Sequence, residues 1–147
     1  MAITSANISY EKIETELKKH IDDEFNNVYI SPTFKMYGNE CIRINTTSDS
    51  SQTIAHDFET RLFNVDIRYY INSANNHDNR INKAIKQKAE ALRQHLVNKR
   101  TNGQNWAQLD VTDMNYYVQD EENEDKEDLN IFEYSLQILN NHHKLGT

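Results

Sequence analysis

The segment Glu59-Thr-Arg-Leu-Phe-Asn-Val-Asp-Ile-Arg-Tyr-Tyr-Ile71 decides the fold, because an apolar residue recurs at every second position from Phe63 to Ile71. A period of two places the apolar residues from Phe63 to Ile71 on one face of a β-strand. The other face is polar but carries Leu62 and Tyr70. The sequence therefore predicts a long strand with one buried face and a second face that is partly covered.

The residues before this strand predict a pair of shorter strands. Val28 to Lys35 is rich in β-forming residues, but Pro32 lacks a backbone donor, which confines this strand to an edge or a bulge. Gly38 and Asn39 predict a turn. Because Cys41 to Thr47 again has a strand pattern, we expect the two strands to pair.

Three further segments complete the β-structure prediction. Thr46 to Asp57 is rich in Ser and Asp, which predicts a polar loop that extends away from the body. Trp106 to Gln119 predicts a strand, and a one-residue shift in its apolar spacing indicates a β-bulge. Asn130 to Leu139 predicts the last strand, and we expect the tail Asn140 to Thr147 to be loose.

Two segments have the periodicity of amphipathic helices. From Tyr10 to Phe25 an apolar residue recurs at every fourth position, and Ser9 is a candidate N-cap. From His77 to Lys99 the apolar residues also share one stripe, and Asn102-Gly103 is a typical stop signal. Both segments are therefore expected to pack one face against a core.

The element order is helix, three strands, helix, two strands, which predicts an α+β fold with a largely antiparallel sheet and both helices on one face. The length of 147 residues fits a single domain, structured from about residue 9 to 139. The residues expected to form its core share one face in each element: Ile13, Leu17, Ile21, Val65, Ile67, Tyr69, Ile81, Ile85, Leu92, Leu96, Phe132, Leu136 and Ile138.

Composition excludes several classes of site. With 3 Gly, the chain has neither a GxGxxG turn nor a P-loop, because those phosphate-binding loops need several glycines. The single Cys41 is expected to be a buried small side chain rather than a ligand. The six His lack metal-ligand spacing and are expected to lie at the surface or to cap elements: His20, His56, His77, His95, His142 and His143. We therefore expect no catalytic residues, no metal and no cofactor.

No apolar run is long enough to span a bilayer, and the start of the chain lacks the pattern of a signal peptide. The sequence thus predicts a protein that is made and folded in a cytoplasm and does not bind a membrane.

The net charge of −7 is unevenly distributed. Residues 120–128 contain seven acidic residues and one Lys, a net charge of −6, whereas residues 77–100 contain seven basic and two acidic residues, a net charge of +5. Each segment is either a solvated surface or an interface for assembly. The candidate interface residues are Arg80, Lys83, Lys86, Lys88 and Arg93 in the basic helix, and Asp120, Glu121, Glu122, Glu124, Asp125, Glu127 and Asp128 in the acidic loop.

The element order, the strand from Arg61 to Ile71 and the closing strand Phe132-Glu-Tyr-Ser-Leu-Gln-Ile138 resemble the tail terminator proteins of tailed bacteriophages and their neck-region relatives. The resemblance covers residues 10 to 139 and is one of pattern and size. It implies a homohexameric ring that caps the tail tube, contacts the tube protein and the head-neck connector, and lets genomic double-stranded DNA pass without reading its sequence. It also implies assembly in the host cytoplasm and a final location in the neck or tail of the virion.

Two alternatives stay open at this stage. The chain is either such a ring protein or a small adaptor or regulatory binding module without catalysis. Within the ring hypothesis, the acidic loop either reaches a neighbouring subunit's basic helix or the tail tube, or lines the lumen, where negative charge keeps DNA from adhering.

Overall fold

The computed structural model describes residues 9–35, 38–54, 58–72, 79–99, 106–119 and 129–143. The elements, in chain order, are α1 (Ser9–Asp22), β1 (Val28–Ile30), β2 (Glu40–Ile54), β3 (Phe58–Asn72), α2 (Asn79–Val97), β4 (Gln108–Gln119) and β5 (Leu129–His143). The order of helices and strands and the α+β class are as predicted.

The five strands form one sheet in the order β1-β2-β3-β5-β4, with β3 at its centre. In β3, Ile67 lies opposite Ile44 of β2 and Tyr134 of β5, so the three longest strands align their apolar residues. Helix α1 lies over β1 and β2, and α2 contacts β4. We call the side of the sheet that contacts the helices the covered face, and the other side the open face.

The first strand differs from its prediction. It is an edge strand, as predicted, but it has three residues, ends before Pro32 and runs parallel to β2, with Val28 opposite Ile42. The predicted pairing of the two strands and the predicted turn at Gly38 and Asn39 are confirmed. Residues 31–35 turn onto the open face, where the Pro32 carbonyl accepts a hydrogen bond from Arg43 Nη1 at 2.7 Å.

The polar loop predicted for Thr46 to Asp57 is also wrong as far as Ile54, because β2 continues to that residue and pairs with β3. Bulges between Thr46 and Ser48 and between Ser51 and Thr53 adjust the register. The prediction rested on the polar composition, but backbone hydrogen bonds can pair two strands even where their side chains are polar on both faces. Residues 55–57 lie outside the described residues.

The tail prediction fails for the same reason. β5 extends to His143, which lies opposite Phe58, so residues 140–143 are paired rather than loose. Residues 144–147 lie outside the described residues. The one-residue shift expected in β4 is confirmed as a bulge between Val111 and Asp113.

The helices end close to their predicted limits. α1 ends at Asp22 rather than Phe25, and the backbone amide of Phe25 donates to the Ile21 carbonyl at 2.9 Å. Asn27 then adopts a positive φ of 59°, which reverses the chain into β1. Ser9 lies within α1, so the prediction that it is the N-cap, the residue just before the first helical turn, is wrong.

The predicted core lies between the helices and the covered face. Every predicted core residue with a described side chain is buried, and Ile81 alone falls outside the described side chains. The core also contains Trp106, Phe63 and Leu109. Cys41 is buried, as predicted, in a second small cluster with Tyr70 and Ile131 on the open face.

Candidate interaction surfaces

The basic residues of α2 do not form one continuous patch. Lys83 and Lys86 are exposed, and the Lys86 ammonium lies 5.8 Å from the centre of the Tyr116 ring on β4. Lys88 points to the other side of the helix, where it forms a salt bridge with Glu40 of β2. Lys88 therefore already has an oppositely charged partner within the chain.

Arg93 and Arg80 are the other two members of the predicted basic surface. The side chain of Arg93 is half-buried. The side chain of Arg80 lies outside the described side chains. Lys83 and Lys86 are thus the predicted basic residues that the structure leaves most open to a partner.

The acidic loop of residues 120–128 lies outside the described residues, but both of its anchors are described. Gln119 at the end of β4 lies opposite Leu129 at the start of β5, and Leu129 lies opposite Asn72 at the end of β3. α2 begins at Asn79, shortly after Asn72. The acidic segment and the basic helix therefore leave the sheet at the same end.

A row of charged side chains crosses the open face, and sequence reasoning did not identify it. Asp66 lies 3.0 Å from Arg68 and 3.5 Å from Arg43, and Arg68 lies 3.3 Å from Glu133 on β5. The Tyr117 hydroxyl of β4 donates to Glu133 at 2.8 Å. Burial, followed by this hydrogen bond, raises the pKa of Tyr117. The period of two placed these residues on one face, but only the strand order shows that they are neighbours.

The segment of residues 31–35, which we call the strap, covers one side of this row. Phe34 packs on Tyr70 with ring centres 4.4 Å apart, and the Lys35 amide donates to the Tyr29 hydroxyl at 3.0 Å. Through Tyr70 the strap contacts the second small apolar cluster of the sheet. Phe34 itself stays 47% exposed and is open to further contacts.

Toward the end of the sheet farthest from α2's first turn, polar side chains of β2 and β3 pair on both faces. On the covered face, Arg61 donates to Asp49 through two nitrogens at 2.6 and 2.9 Å. On the open face, Asn64 donates to the Ser48 hydroxyl at 3.0 Å. This end of the β2–β3 pair therefore extends the sheet without extending its apolar core.

Exposed large apolar side chains lie at both lateral edges of the sheet. The β1 edge carries Ile30 and Phe34, whereas the β4 edge carries Tyr116, Tyr117 and Val118. Each of these side chains is at least 40% exposed. The two edges differ in sequence and in shape, so they are two different surfaces rather than two copies of one.

Within the described ranges, no group of three or more His, Cys, Asp or Glu residues is arranged to hold a metal ion. In the same part of the chain, neither helix is long and apolar enough to cross a membrane. Comparison with models of known protein families found no match, and neither did comparison with curated proteins.

Proposed function

We propose that this chain is a structural protein of a bacteriophage virion, a tail terminator that forms a closed ring on the tail tube and joins it to the head-neck connector. The observation that carries the proposal is the pair of unlike apolar edges. A closed ring of identical subunits uses heterologous contacts, in which one surface of each copy meets a different surface of the next. Ile30 and Phe34 on one edge and Tyr116 and Val118 on the other provide two such surfaces.

The distribution of charge supports the same arrangement. Lys86 lies beside the β4 edge, and both Lys83 and Lys86 are exposed. The acidic loop, which leaves the sheet at the end where α2 begins, carries a net charge of −6. We propose that this loop contacts either the basic helix of the adjacent subunit or the tail tube, where it sets orientation and association rate more than affinity.

The remaining parts of the proposal follow from the resemblance. The ring would let genomic double-stranded DNA pass through its lumen without sequence-specific binding. It needs no catalytic residue and no cofactor, and it would reside in the neck or tail of the virion. A lumenal position for the acidic loop is the competing arrangement, because a negative wall repels passing DNA.

Size-exclusion chromatography with light scattering tests the proposal. We expect a discrete species with about six times the chain mass of 17.3 kDa. A monomer over a wide range of protein concentration would instead favour an adaptor or regulatory module.

Substitutions at the edges test the observation that carries the proposal. Val118→Ser and Ile30→Ser should each shift the population from ring to monomer, because each edge is needed by every contact. Ala84→Ser, at an exposed position on α2, is the control and should leave the ring intact. A ring that survives both edge substitutions would contradict the assignment of the interface.

A further inference from the structure

Two histidines that are far apart in the sequence form hydrogen bonds at the C-terminal ends of the two helices. His20 lies in the last turn of α1 and His95 in the last turn of α2. Their rings are stacked, with centres 3.8 Å apart and planes within 8° of parallel. His20 Nε2 lies 2.8 Å from the carbonyl oxygen of His95, and His95 Nε2 lies 2.7 Å from the carbonyl oxygen of His20. The arrangement is reciprocal.

The geometry fixes the hydrogen on each ring. A carbonyl oxygen can only accept, so both Nε2 atoms must carry hydrogen. The last carbonyls of a helix have no partner within the helix, so each ring caps the helix of the other. The proton that would charge either ring must therefore go to Nδ1. Two charged rings would then be stacked face to face.

Charged groups from both helices surround the pair. On one side is a cavity of about 210 Å³, whose lining contains His20 and the ionisable residues Glu16, Lys19, Asp23 and Lys99. On the other side is a cavity of about 380 Å³, whose lining contains His95, Glu24, Phe25, Ala91, Gln94 and Asn98. The Phe25 ring also lies 6.0 Å from the His95 ring and covers part of the stack. The two linings thus place three acidic residues (Glu16, Asp23 and Glu24) and two basic residues (Lys19 and Lys99) around the rings.

We propose that the His20–His95 pair is a pH-sensitive clasp, which joins the C-terminal turns of α1 and α2 at neutral pH and releases them in mildly acidic solution. One proton is tolerated, because the carbonyls at two helix ends favour a positive charge. The second proton is opposed by the first at a separation of 3.8 Å.

The environment of His20 acts in the same direction. Burial lowers its pKa, as do the nearby His95 and Lys99, whereas the hydrogen bond to the His95 backbone and the charge of Asp23 oppose this shift. Folded chains with an intact clasp therefore bind fewer protons than opened chains just below the ordinary imidazole range, and acid favours opening.

Opening of the clasp would also change the surroundings of Trp106. Its indole Nε1 donates to the Lys99 carbonyl at 3.0 Å, directly after α2, and its side chain is 1% exposed. Trp106 is the single tryptophan of the chain, so its fluorescence reports on this junction.

Hydrogen exchange between pH 7 and pH 5, corrected for the intrinsic rate at each pH, tests the clasp. We expect the amides at the C-terminal turns of α1 and α2 to lose about tenfold in protection, while those of β3 and β5 keep theirs. In the double variant His20→Gln with His95→Gln, side-chain amides can donate to the same carbonyls without titrating, so the loss should disappear. His77→Gln removes a different histidine and should leave the loss unchanged.

A second prediction concerns the unmodified chain, so it does not depend on whether a variant folds. NMR titration of the imidazole protons should show the His20 ring taking up its proton below the ordinary imidazole range, and Trp106 fluorescence should change with that step. High salt should weaken the effect, because it screens the repulsion between the rings. A His20 ring that titrates in the ordinary imidazole range, or an equal loss of protection in the double Gln variant, would overturn the proposal.

Discussion

The covered and open faces of the sheet are held by different forces. On the covered face, β3 and β5 bury Ile67 and Tyr134 against helices that contribute Leu92, and all three side chains are fully buried. On the open face, the same two strands carry Arg68 and Glu133, joined by an ion pair at 3.3 Å with both side chains partly exposed. The covered face thus supplies the stability of the fold, and the open face and lateral edges remain available for contacts with other molecules.

Truncation on the covered face should have the largest effect. Leu92→Ala is expected to lower the free energy of unfolding by about 2 to 5 kcal/mol, because it leaves a cavity between α2 and the sheet. Urea denaturation measures the change. Gln137→Thr, at an exposed position on the open face of β5, is the control and should change stability by less than about 0.5 kcal/mol. Equal effects at the two positions would contradict the division between faces.

Disrupting the charged row should have an intermediate effect. Asp66→Asn removes the carboxylate shared by Arg43 and Arg68 and is expected to lower stability by about 1 to 3 kcal/mol, because the Arg43 side chain is 7% exposed. Asp49→Asn, in the more exposed pair with Arg61, is the matched control and should lower it by about 1 kcal/mol or less. If Asp49→Asn lowered the stability more than Asp66→Asn, the charged row would contribute no more than an exposed ion pair.

A smaller effect is expected at the boundary of the covered face. Burial raises the pKa of Glu14 on α1, an effect partly offset by the Thr46 hydroxyl. The folded chain therefore binds this proton more readily than the unfolded chain, and stability is lost as the pH rises above the ordinary glutamate value of 4.5. Glu14→Gln should be more stable than the parent near pH 7, by less than about 1 kcal/mol, and equal to it near pH 4. Thermal melts at the two pH values measure the difference, and a variant less stable at pH 7 would reverse its sign.

The smallest effect on stability is expected on the outer side of α2. Lys83→Gln with Lys86→Gln should leave unfolding unchanged within about 0.5 kcal/mol, because both side chains are exposed, but should slow ring assembly and reduce its salt dependence. Stopped-flow light scattering at two salt concentrations measures the rate. Lys12→Gln, an exposed lysine on α1, carries the same change of charge and should leave assembly unaffected.

The acidic loop gives a complementary test of charge. Neutralising Glu121, Glu122, Glu124 and Asp125 to amides should also slow assembly and weaken its dependence on salt. If assembly at low salt is unchanged while DNA ejection slows, the loop lines the lumen instead of contacting a neighbour.

Apolar periodicity was sufficient to predict the covered face. The spacing of Ile13, Leu17 and Ile21 and the alternation from Phe63 to Ile71 reflect burial directly, so the core and the element order followed from them. The limits of β2 and β5 did not follow, because their polar ends are held by backbone hydrogen bonds that leave no apolar pattern.

The surfaces were harder to predict for a different reason. Asp66 and Glu133 become neighbours only through the β3–β5 pairing, and His20 and His95 only through the packing of the two helices. Local sequence spacing contains neither relationship. Charge runs such as residues 120–128 were visible in the sequence, but a run of charge does not specify what it contacts.

Electron microscopy of negatively stained protein at neutral pH and low salt tests the central claim most directly. The proposed function predicts closed rings with about sixfold symmetry and a central lumen that lets double-stranded DNA pass, and the unlike edges would supply the heterologous contacts that such rings need. Open filaments, two-fold dimers or dispersed particles with the size of one chain would contradict the account.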